Sequence, residues 1–177
     1  MKPDALWSVV IAAPRERVWS ALTQIGRPLP FLFGTVLETE LRPGAPLRYC
    51  TANGKRTFID GTVVEVSAPH RLVHTFRFTD LDEPPGTVTF TLEEESTGTR
   101  LTVTHEGLGP KHRKRVTPGW TKILTWLRSW IERGRLSLPT RLLALVMKAL
   151  TPLLPNAHRG TPTVAPGSPR EQEGGKT

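Results

Sequence analysis

The sequence is poor in cysteine, since its 177 residues include only Cys50. A single cysteine cannot form an internal disulfide, so nothing in the chain requires an oxidising compartment. Apolar runs are also short, and none reaches the roughly 20 residues that a membrane-spanning helix needs. The first ten residues lack the long apolar run and the small-residue cleavage site of a secretory signal. We therefore expect a cytoplasmic protein.

Motifs of the large cofactor-dependent enzyme classes are missing as well. The chain has no P-loop, dinucleotide-binding fingerprint, nucleophile elbow or metalloprotease motif. His70, His74 and His105 lack the spacing of known zinc and iron sites, and Cys50 has no second cysteine to join it. The sequence therefore implies neither a bound metal nor a cofactor.

Acidic residues are scarce in one part of the chain, so the net charge of +8 is unevenly placed. Residues 1–107 contain 11 Lys/Arg and 13 Asp/Glu, whereas residues 108–150 contain 10 Lys/Arg and one acidic residue, Glu132. Such a basic region attracts anions, acidic ligands or anionic lipid, although a solvated helix face explains it equally well. Nucleic-acid binding is disfavoured, because no recognition helix or stacking motif accompanies the charge.

One long amphipathic pattern, from Thr117 to Gly134, organises the chain. Its apolar residues lie three, four, seven, ten and eleven positions after the first, on one face of a helix: Trp120, Ile123, Leu124, Leu127, Trp130 and Ile131. Thr117 is the predicted N-cap, Pro118 the predicted first helical residue and Gly134 the predicted left-handed stop.

Short strands separated by turn residues are predicted before this helix. They cover residues 6–11, 35–41, 47–51, 58–67, 71–79, 86–94 and 99–106, and a short helix follows Pro14. Apolar and polar residues alternate along several strands, which predicts an antiparallel sheet with one buried face. The apolar segment Phe31 to Phe33 is interpreted as a lid or a hydrophobic plug.

Composition divides the chain into three parts. Residues 1–135 form the predicted domain, and residues 136–155 a predicted amphipathic helical extension. Segment 138–154 is too apolar to be left in water, so it packs on the domain, forms a homodimer or contacts a membrane surface. Residues 156–177 are rich in Pro and Gly and are predicted to be disordered.

The order of strand, helix, six strands and long helix resembles the SRPBCC superfamily, also called START-like or birch-pollen-allergen-like. The segments that carry the resemblance are A-P-R-E-R-V-W-S-A-L-T, R-P-G-A-P-L-R-Y, D-G-T-V-V-E-V-S-A-P-H-R-L-V-H-T-F and T-V-T-F-T-L-E-E-E-S-T-G-T-R-L-T-V-T-H-E-G. Within the superfamily, the chain is most similar to the Hsp-ninety ATPase activator homologue branch. The resemblance covers about residues 5–135.

The resemblance implies an α+β helix-grip fold, in which a curved antiparallel β-sheet wraps around a long C-terminal α-helix. It also implies a deep hydrophobic cavity between the sheet and the helix. No reaction follows from it, because the superfamily includes lipid and hormone binders, polyketide cyclases and dehydratases, and has no shared catalytic motif.

Polar residues on the inward side of the predicted strands are candidates for ligand recognition. Strand alternation places Tyr49, Asp60, His74 and His105 there. The predicted apolar ligand contacts are Phe76, Phe90, Trp120, Leu124 and Leu127. The two histidines and Asp60 either orient a ligand, act as acid/base groups, or are core residues paired with backbone carbonyls or water.

A run of cations directly precedes the predicted long helix. Lys111, Arg113, Lys114 and Arg115 lie there in a predicted loop. Together with the free N–H groups of the helix N-terminus, they would suit a carboxylate, a phosphate or a lipid head group at the cavity mouth. A solvated flexible loop explains the same residues.

Three functions agree with these features. The first is binding of a small hydrophobic ligand, acidic or neutral, or of a lipid, in the helix-grip cavity and without a cofactor. The second is a cofactor-independent, polyketide cyclase- or dehydratase-like enzyme that uses His74, His105 and Asp60 in the same cavity. The third is a protein-interaction or co-chaperone-like module, which would have a filled, closed core.

Overall fold

The computed structural model describes residues 3–134. Its strands are β1 Ala5–Ile11, β2 Pro28–Leu29, β3 Thr35–Glu38, β4 Pro46–Cys50, β5 Thr57–Ser67, β6 Arg71–Phe78, β7 Gly86–Glu95 and β8 Gly98–Glu106. Its helices are α1 Arg15–Leu22, a 3₁₀ turn at Pro30–Leu32, and α2 Pro110–Arg133. The strands form one antiparallel sheet in the order β1-β8-β7-β6-β5-β4-β3-β2. This is the predicted α+β helix-grip fold, with a curled sheet and a C-terminal helix.

The buried face of the sheet follows the alternation in the sequence. On β6, Leu72, His74 and Phe76 point inward and are at most 4% exposed. His74 pairs with Val88 on β7, and Val88 pairs with His105 on β8, so this row of inward residues crosses three strands. Because side chains alternate between the two faces, the pairing of the strands fixes which residues meet inside the sheet.

The long helix α2 begins at Pro110, eight residues earlier than the predicted first helical residue, Pro118. Thr117 lies inside the helix, where its hydroxyl donates a hydrogen bond to the carbonyl of Arg113 at 2.8 Å. The predicted cap at Thr117 is therefore wrong. The free N–H groups at the true start are those of Lys111 and His112, and both donate to the carboxylate of Glu83, at 3.1 and 2.8 Å.

The buried stripe of α2 also extends towards this earlier start. His112 and Val116 are buried and continue the four-residue spacing that leads to Trp120. At the other end the prediction is confirmed, because Gly134 has a left-handed φ of 66° and its N–H donates to the carbonyl of Trp130.

The segment before β3 packs on α2. Phe31 is buried in the core, and the ring of Phe33 contacts the ring of Trp126 edge-on, with centroids 5.1 Å apart. This agrees with the interpretation of the segment as a plug. Strand β3 ends at Glu38, three residues before its predicted end, whereas the predicted strands after β3 lie within one residue of the observed bounds.

The predicted extension at 136–155 and the tail at 156–177 lie outside the described residues. Within residues 3–134, no helix is both long enough and apolar enough to cross a membrane.

Replacing Pro118, which is exposed in the interior of α2, should stabilise the protein. Proline has no N–H to donate to the carbonyl four residues earlier, and its ring clashes with that carbonyl, which costs about 3 kcal/mol in a regular helix. Part of this gain is offset, because the helix around Pro118 is already adjusted to the proline and because the unfolded chain gains conformational entropy when the proline is removed. We expect Pro118→Ala to raise the free energy of unfolding by about 1 kcal/mol. Urea unfolding measures the effect, and a lower midpoint would contradict it.

Candidate functional site

The candidate site is the buried region where the inner face of the sheet packs against α2. Eight of the nine predicted ligand contacts meet there, and each is buried: Tyr49, His74, Phe76, Phe90, His105, Trp120, Leu124 and Leu127. Strands β4, β6, β7 and β8 supply the first five, and α2 supplies the other three. Their shared location follows from the pairing of the strands, whereas binding of a ligand by them remains a prediction.

Aromatic rings form most of the wall. The ring centroid of Trp120 lies 5.7 Å from that of Phe90, 6.5 Å from that of Phe76 and 6.2 Å from that of Trp7. Tyr49 closes the β4 side, with its ring centroid 6.5 Å from His74. Burial raises the pKa of the Tyr49 phenol above its ordinary value, so the hydroxyl stays protonated.

His74 lies at the centre of this wall and is 1% exposed. Its Nδ1 is 2.8 Å from the carbonyl oxygen of Thr75, so Nδ1 carries the hydrogen and donates it. Its Nε2 is buried and has no hydrogen-bond partner among the described residues. Loss of solvent lowers the pKa of His74 to about 4, against a smaller opposing effect of the Thr75 carbonyl. The ring is neutral at pH 7.

His105 is fully buried on β8, with its ring 5.0 Å from the ring of Phe76. Neither ring nitrogen has a hydrogen-bond partner in residues 3–134. Loss of solvent, followed by repulsion from His74 and His112, lowers the pKa of His105 to about 4. A Cβ at Gly86 would lie 2.8 Å from Nε2 of His105, so the glycine leaves room for the imidazole.

Asp60 does not belong to this site, and its predicted inward orientation is wrong. Its carboxylate makes a two-pronged ion pair with Arg77 on the outer face of the sheet, at 2.7 and 3.0 Å. The cause is a β-bulge between Val63 and Glu65, which shifts the alternation of β5 by one residue. Strict alternation counted back from Val66, which ignores the bulge, therefore assigns Asp60 to the wrong face of the sheet.

His112 is a buried site residue that the sequence analysis missed. Its ring is 0% exposed, neither nitrogen has a hydrogen-bond partner within the described chain, and the ring of Phe78 lies 5.6 Å away. Nδ1 is 3.8 Å from a carboxylate oxygen of Glu83, which is too long for a hydrogen bond. The four-residue spacing from His112 through Val116 to Trp120 was the available signal.

The structure places the residues of the predicted anion site in a helix: Lys111, Arg113, Lys114 and Arg115. These residues form the first two turns of α2, not a loop. Arg113 pairs with Asp4 at 3.2 Å and Arg115 with Asp80 at 2.7 Å, and the Arg115 guanidinium also lies over the ring of Phe78.

Glu83 occupies the N–H groups that an external anion would use. The side chains of Lys111 and Lys114 remain exposed. Since the chain supplies its own carboxylates to this end of α2, the geometry does not support a dedicated anion site there.

Within residues 3–134 the interior is closed to solvent, since each of the eight candidate contacts is at most 7% exposed. Two surface depressions, of about 480 and 260 Å³, lie elsewhere, beside Ala12–Arg15 with Glu94 and beside Glu38 with Arg48. Within residues 3–134, no group of three or more His, Cys, Asp or Glu side chains is placed to hold a metal ion.

The sequence of this domain matches a known protein family. The family described as activator of Hsp90 ATPase homolog 1-like protein matches residues 12–132, from the end of β1 almost to the end of α2. The chain belongs to this family. The match includes every residue of the candidate site except Trp7, so the site belongs to the family domain.

Solved structures that share this fold support the predicted SRPBCC superfamily and its activator-homologue branch. CalU16 from Micromonospora echinospora is 23% identical, with a TM-score of 0.60 over 84% of this chain and 86% of that one. DynU16, from the dynemicin biosynthetic locus, is 25% identical, with a TM-score of 0.62 over 74% of this chain and 48% of that one.

An HSP90 activator from Plasmodium falciparum, PFC0360w, is 22% identical, with a TM-score of 0.59 over 75% of this chain and 97% of that one. These likenesses support the helix-grip fold of this family member. No curated protein matches the chain.

Proposed function

We propose that this protein binds a small, largely apolar ligand between the sheet and α2. The observation that carries the proposal is a set of three buried histidines inside a wall of aromatic side chains, with five ring nitrogens that have no hydrogen-bond partner within residues 3–134. An unpartnered polar atom in a protein interior costs about 1–3 kcal/mol. A ligand or water that supplies the missing hydrogen bonds recovers this free energy.

The chemistry of the wall defines the ligand class. Phe76, Phe90 and Trp120 offer apolar and ring-stacking contacts, whereas His74 and His105 offer isolated hydrogen bonds to neutral imidazoles. The association of DynU16 with a biosynthetic locus is consistent with a domain that handles a small organic compound. Because the interior is closed, the side chains at its edge have to move when the ligand enters.

The geometry favours binding over the predicted cyclase- or dehydratase-like catalysis. Asp60 is on the outer face, so the predicted trio of acid/base groups is not assembled. Effective acid/base catalysts have pKa values near the working pH. At a pKa of about 4, His74 and His105 are almost entirely neutral imidazoles at pH 7, so neither is an efficient source of an imidazolium proton.

A protein-interaction function is the second candidate, and the closed interior favours it. A domain that serves only as a docking module needs a filled core, and the candidate ligand contacts pack against one another with little exposure. The family description and the fold shared with PFC0360w are consistent with a chaperone partner. This candidate predicts no bound small molecule.

Native mass spectrometry of the protein purified from its own host separates the two candidates. We expect a stoichiometric apolar adduct, because the ligand would supply partners for buried polar atoms. His105→Leu should weaken binding about tenfold, since one hydrogen bond is lost while the apolar volume is kept. The control is Thr104→Val, which changes the neighbouring residue on the outer face of β8.

The thermal midpoint of each variant shows whether it folds. A wild-type protein that stays empty after exposure to host lipid and metabolite extracts would contradict ligand binding and favour the interaction module. If the His105→Leu variant still carries the adduct at full occupancy, His105 does not contribute to ligand binding.

A further inference from the structure

His112 and Glu83 form a pair at the end of the interior where α2 begins. Glu83 comes from the loop between β6 and β7, and His112 is the third residue of α2. The imidazole is fully buried and the carboxylate side chain is 10% exposed. The sequence analysis did not predict this pair, because the two residues are 29 positions apart in the sequence.

The Glu83 carboxylate is fixed in place and ionised. It accepts hydrogen bonds from the backbone N–H groups of Lys111 and His112. Loss of solvent tends to raise the pKa of Glu83, but these two N–H groups, together with the charge of Lys111, outweigh it, so the pKa lies below its ordinary value. A Cβ at Gly109 would lie 2.7 Å from the carboxyl carbon, so the glycine makes room for it.

A fixed carboxylate next to one ring nitrogen selects the tautomer of a histidine. Oε2 of Glu83 faces Nδ1 of His112 at 3.8 Å, and a negative oxygen favours the N–H there. The lone pair is then on Nε2, which is buried without a hydrogen-bond partner in residues 3–134. The pair therefore presents a hydrogen-bond acceptor and not a donor.

This acceptor is continuous with the aromatic interior. The ring of His112 contacts Phe78, Phe78 contacts Phe76 at 5.0 Å, and Phe76 contacts both His105 and Trp120. A ring-shaped ligand against these side chains could reach Nε2 of His112 with a polar substituent. The substituent has to donate a hydrogen bond, since Nε2 in this tautomer can only accept.

The charge at this end decides between a hydroxyl and an acid. Glu83 and Asp4 are both carboxylates, and hydrogen bonds from the backbone N–H of Leu108 to Asp4 help to keep the pKa of Asp4 low. The nearby cations are already paired with carboxylates, since Arg113 pairs with Asp4, and Arg115, whose guanidinium lies over the ring of Phe78, pairs with Asp80. A carboxylate ligand would meet like charge here, whereas a neutral hydroxyl would not.

We propose that Glu83 positions His112 to accept a hydrogen bond from a hydroxyl group of the ligand, so that the site selects neutral hydroxylated ring compounds over unsubstituted and acidic ones. The inference rests on the proposed ligand-binding function and specifies its ligand class. Glu83 is the positioning residue, and His112 is the residue that contacts the hydroxyl group.

Calorimetry with three matched probes tests the ligand class. We expect the wild-type protein to bind 2-naphthol about tenfold more tightly than naphthalene, and 2-naphthoate more weakly than 2-naphthol. His112→Leu should abolish the preference for naphthol while it keeps naphthalene binding. Asp80→Asn is the matched control, because it removes a carboxylate of the same loop that pairs with Arg115 and not with His112.

The outcomes separate the two proposals. Equal binding of naphthol and naphthalene, or a preference that survives in His112→Leu, overturns the inference and leaves ligand binding in place. Tighter binding of naphthoate overturns the selection against acids. Binding of none of the three probes, together with an empty protein from the host, overturns the ligand-binding function and the inference with it.

Nitrogen NMR of the imidazole ring tests the positioning role without any ligand. We expect His112 to carry its hydrogen on Nδ1 in the wild-type protein. In Glu83→Gln the amide group can donate to Nδ1, so the hydrogen should move to Nε2, whereas Asp80→Asn should leave the tautomer unchanged. An unchanged tautomer in Glu83→Gln would show that Glu83 does not position the ring.

Discussion

Lowering the pH from 7 to 4 should reduce the free energy of unfolding by several kcal/mol, because His74 and His105 resist protonation in the folded protein. Each has a pKa of about 4 in the fold, against an ordinary value of 6.5. Loss of solvent is the main cause for both residues, and mutual repulsion adds to it for His105. Protonation of either ring would place a charge in an aromatic wall.

The sign follows from proton binding in the two states. Below pH 6.5 the unfolded chain takes up a proton at each histidine, whereas the folded protein does not until the pH approaches 4. Stability is therefore complete above pH 6.5 and falls as the pH decreases towards 4. Each pH unit costs about 1.4 kcal/mol per histidine, so each residue contributes roughly 3 kcal/mol.

Urea unfolding at several pH values between 7 and 4 measures this dependence. His74→Leu and His105→Leu should each flatten the profile. The carboxylates with lowered pKa values, Asp4, Glu83 and Glu132, lose their contribution below their ordinary values, which are 3.8 and 4.5. A flat wild-type profile between pH 6.5 and 4.5 would contradict the prediction.

Most of the strands could be predicted because their information is local. Alternation along β6, β7 and β8 identifies the buried face, and Gly, Pro and Asn residues mark the turns. The same local information placed His74 and His105 correctly. It failed at Asp60, because a β-bulge adds one residue to a strand without a sequence signature that separates it from regular alternation.

The start of α2 required information from elsewhere in the chain. A cluster of cations and a proline at position 118 argue against a helix when only local sequence is considered. In the fold, Asp4 and Asp80 neutralise two of the cations, and Glu83 caps the free N–H groups. These partners lie 28 or more residues away, so helix propensity alone could not reveal them.

Gly61 on β5 should not tolerate a side chain. A Cβ there would lie 1.9 Å from the backbone oxygen of Thr75 on the adjacent strand β6. Because the obstacle is backbone, it cannot move aside as a flexible side chain would, and β5 and β6 would have to separate next to Val63 and His74. We expect Gly61→Ala to lower the free energy of unfolding by about 3 kcal/mol or more.

Gly119 is the matched control, because the same substitution there should have the opposite sign. It lies inside α2, and a Cβ at this position would meet nothing within 4 Å. Alanine in a helix is more favourable than glycine by about 0.5–1 kcal/mol, so Gly119→Ala should stabilise the protein slightly. Urea unfolding of both variants gives the comparison. Wild-type stability in Gly61→Ala would mean that β5 and β6 are further apart at this point than the structure shows, which would also alter the position of His74.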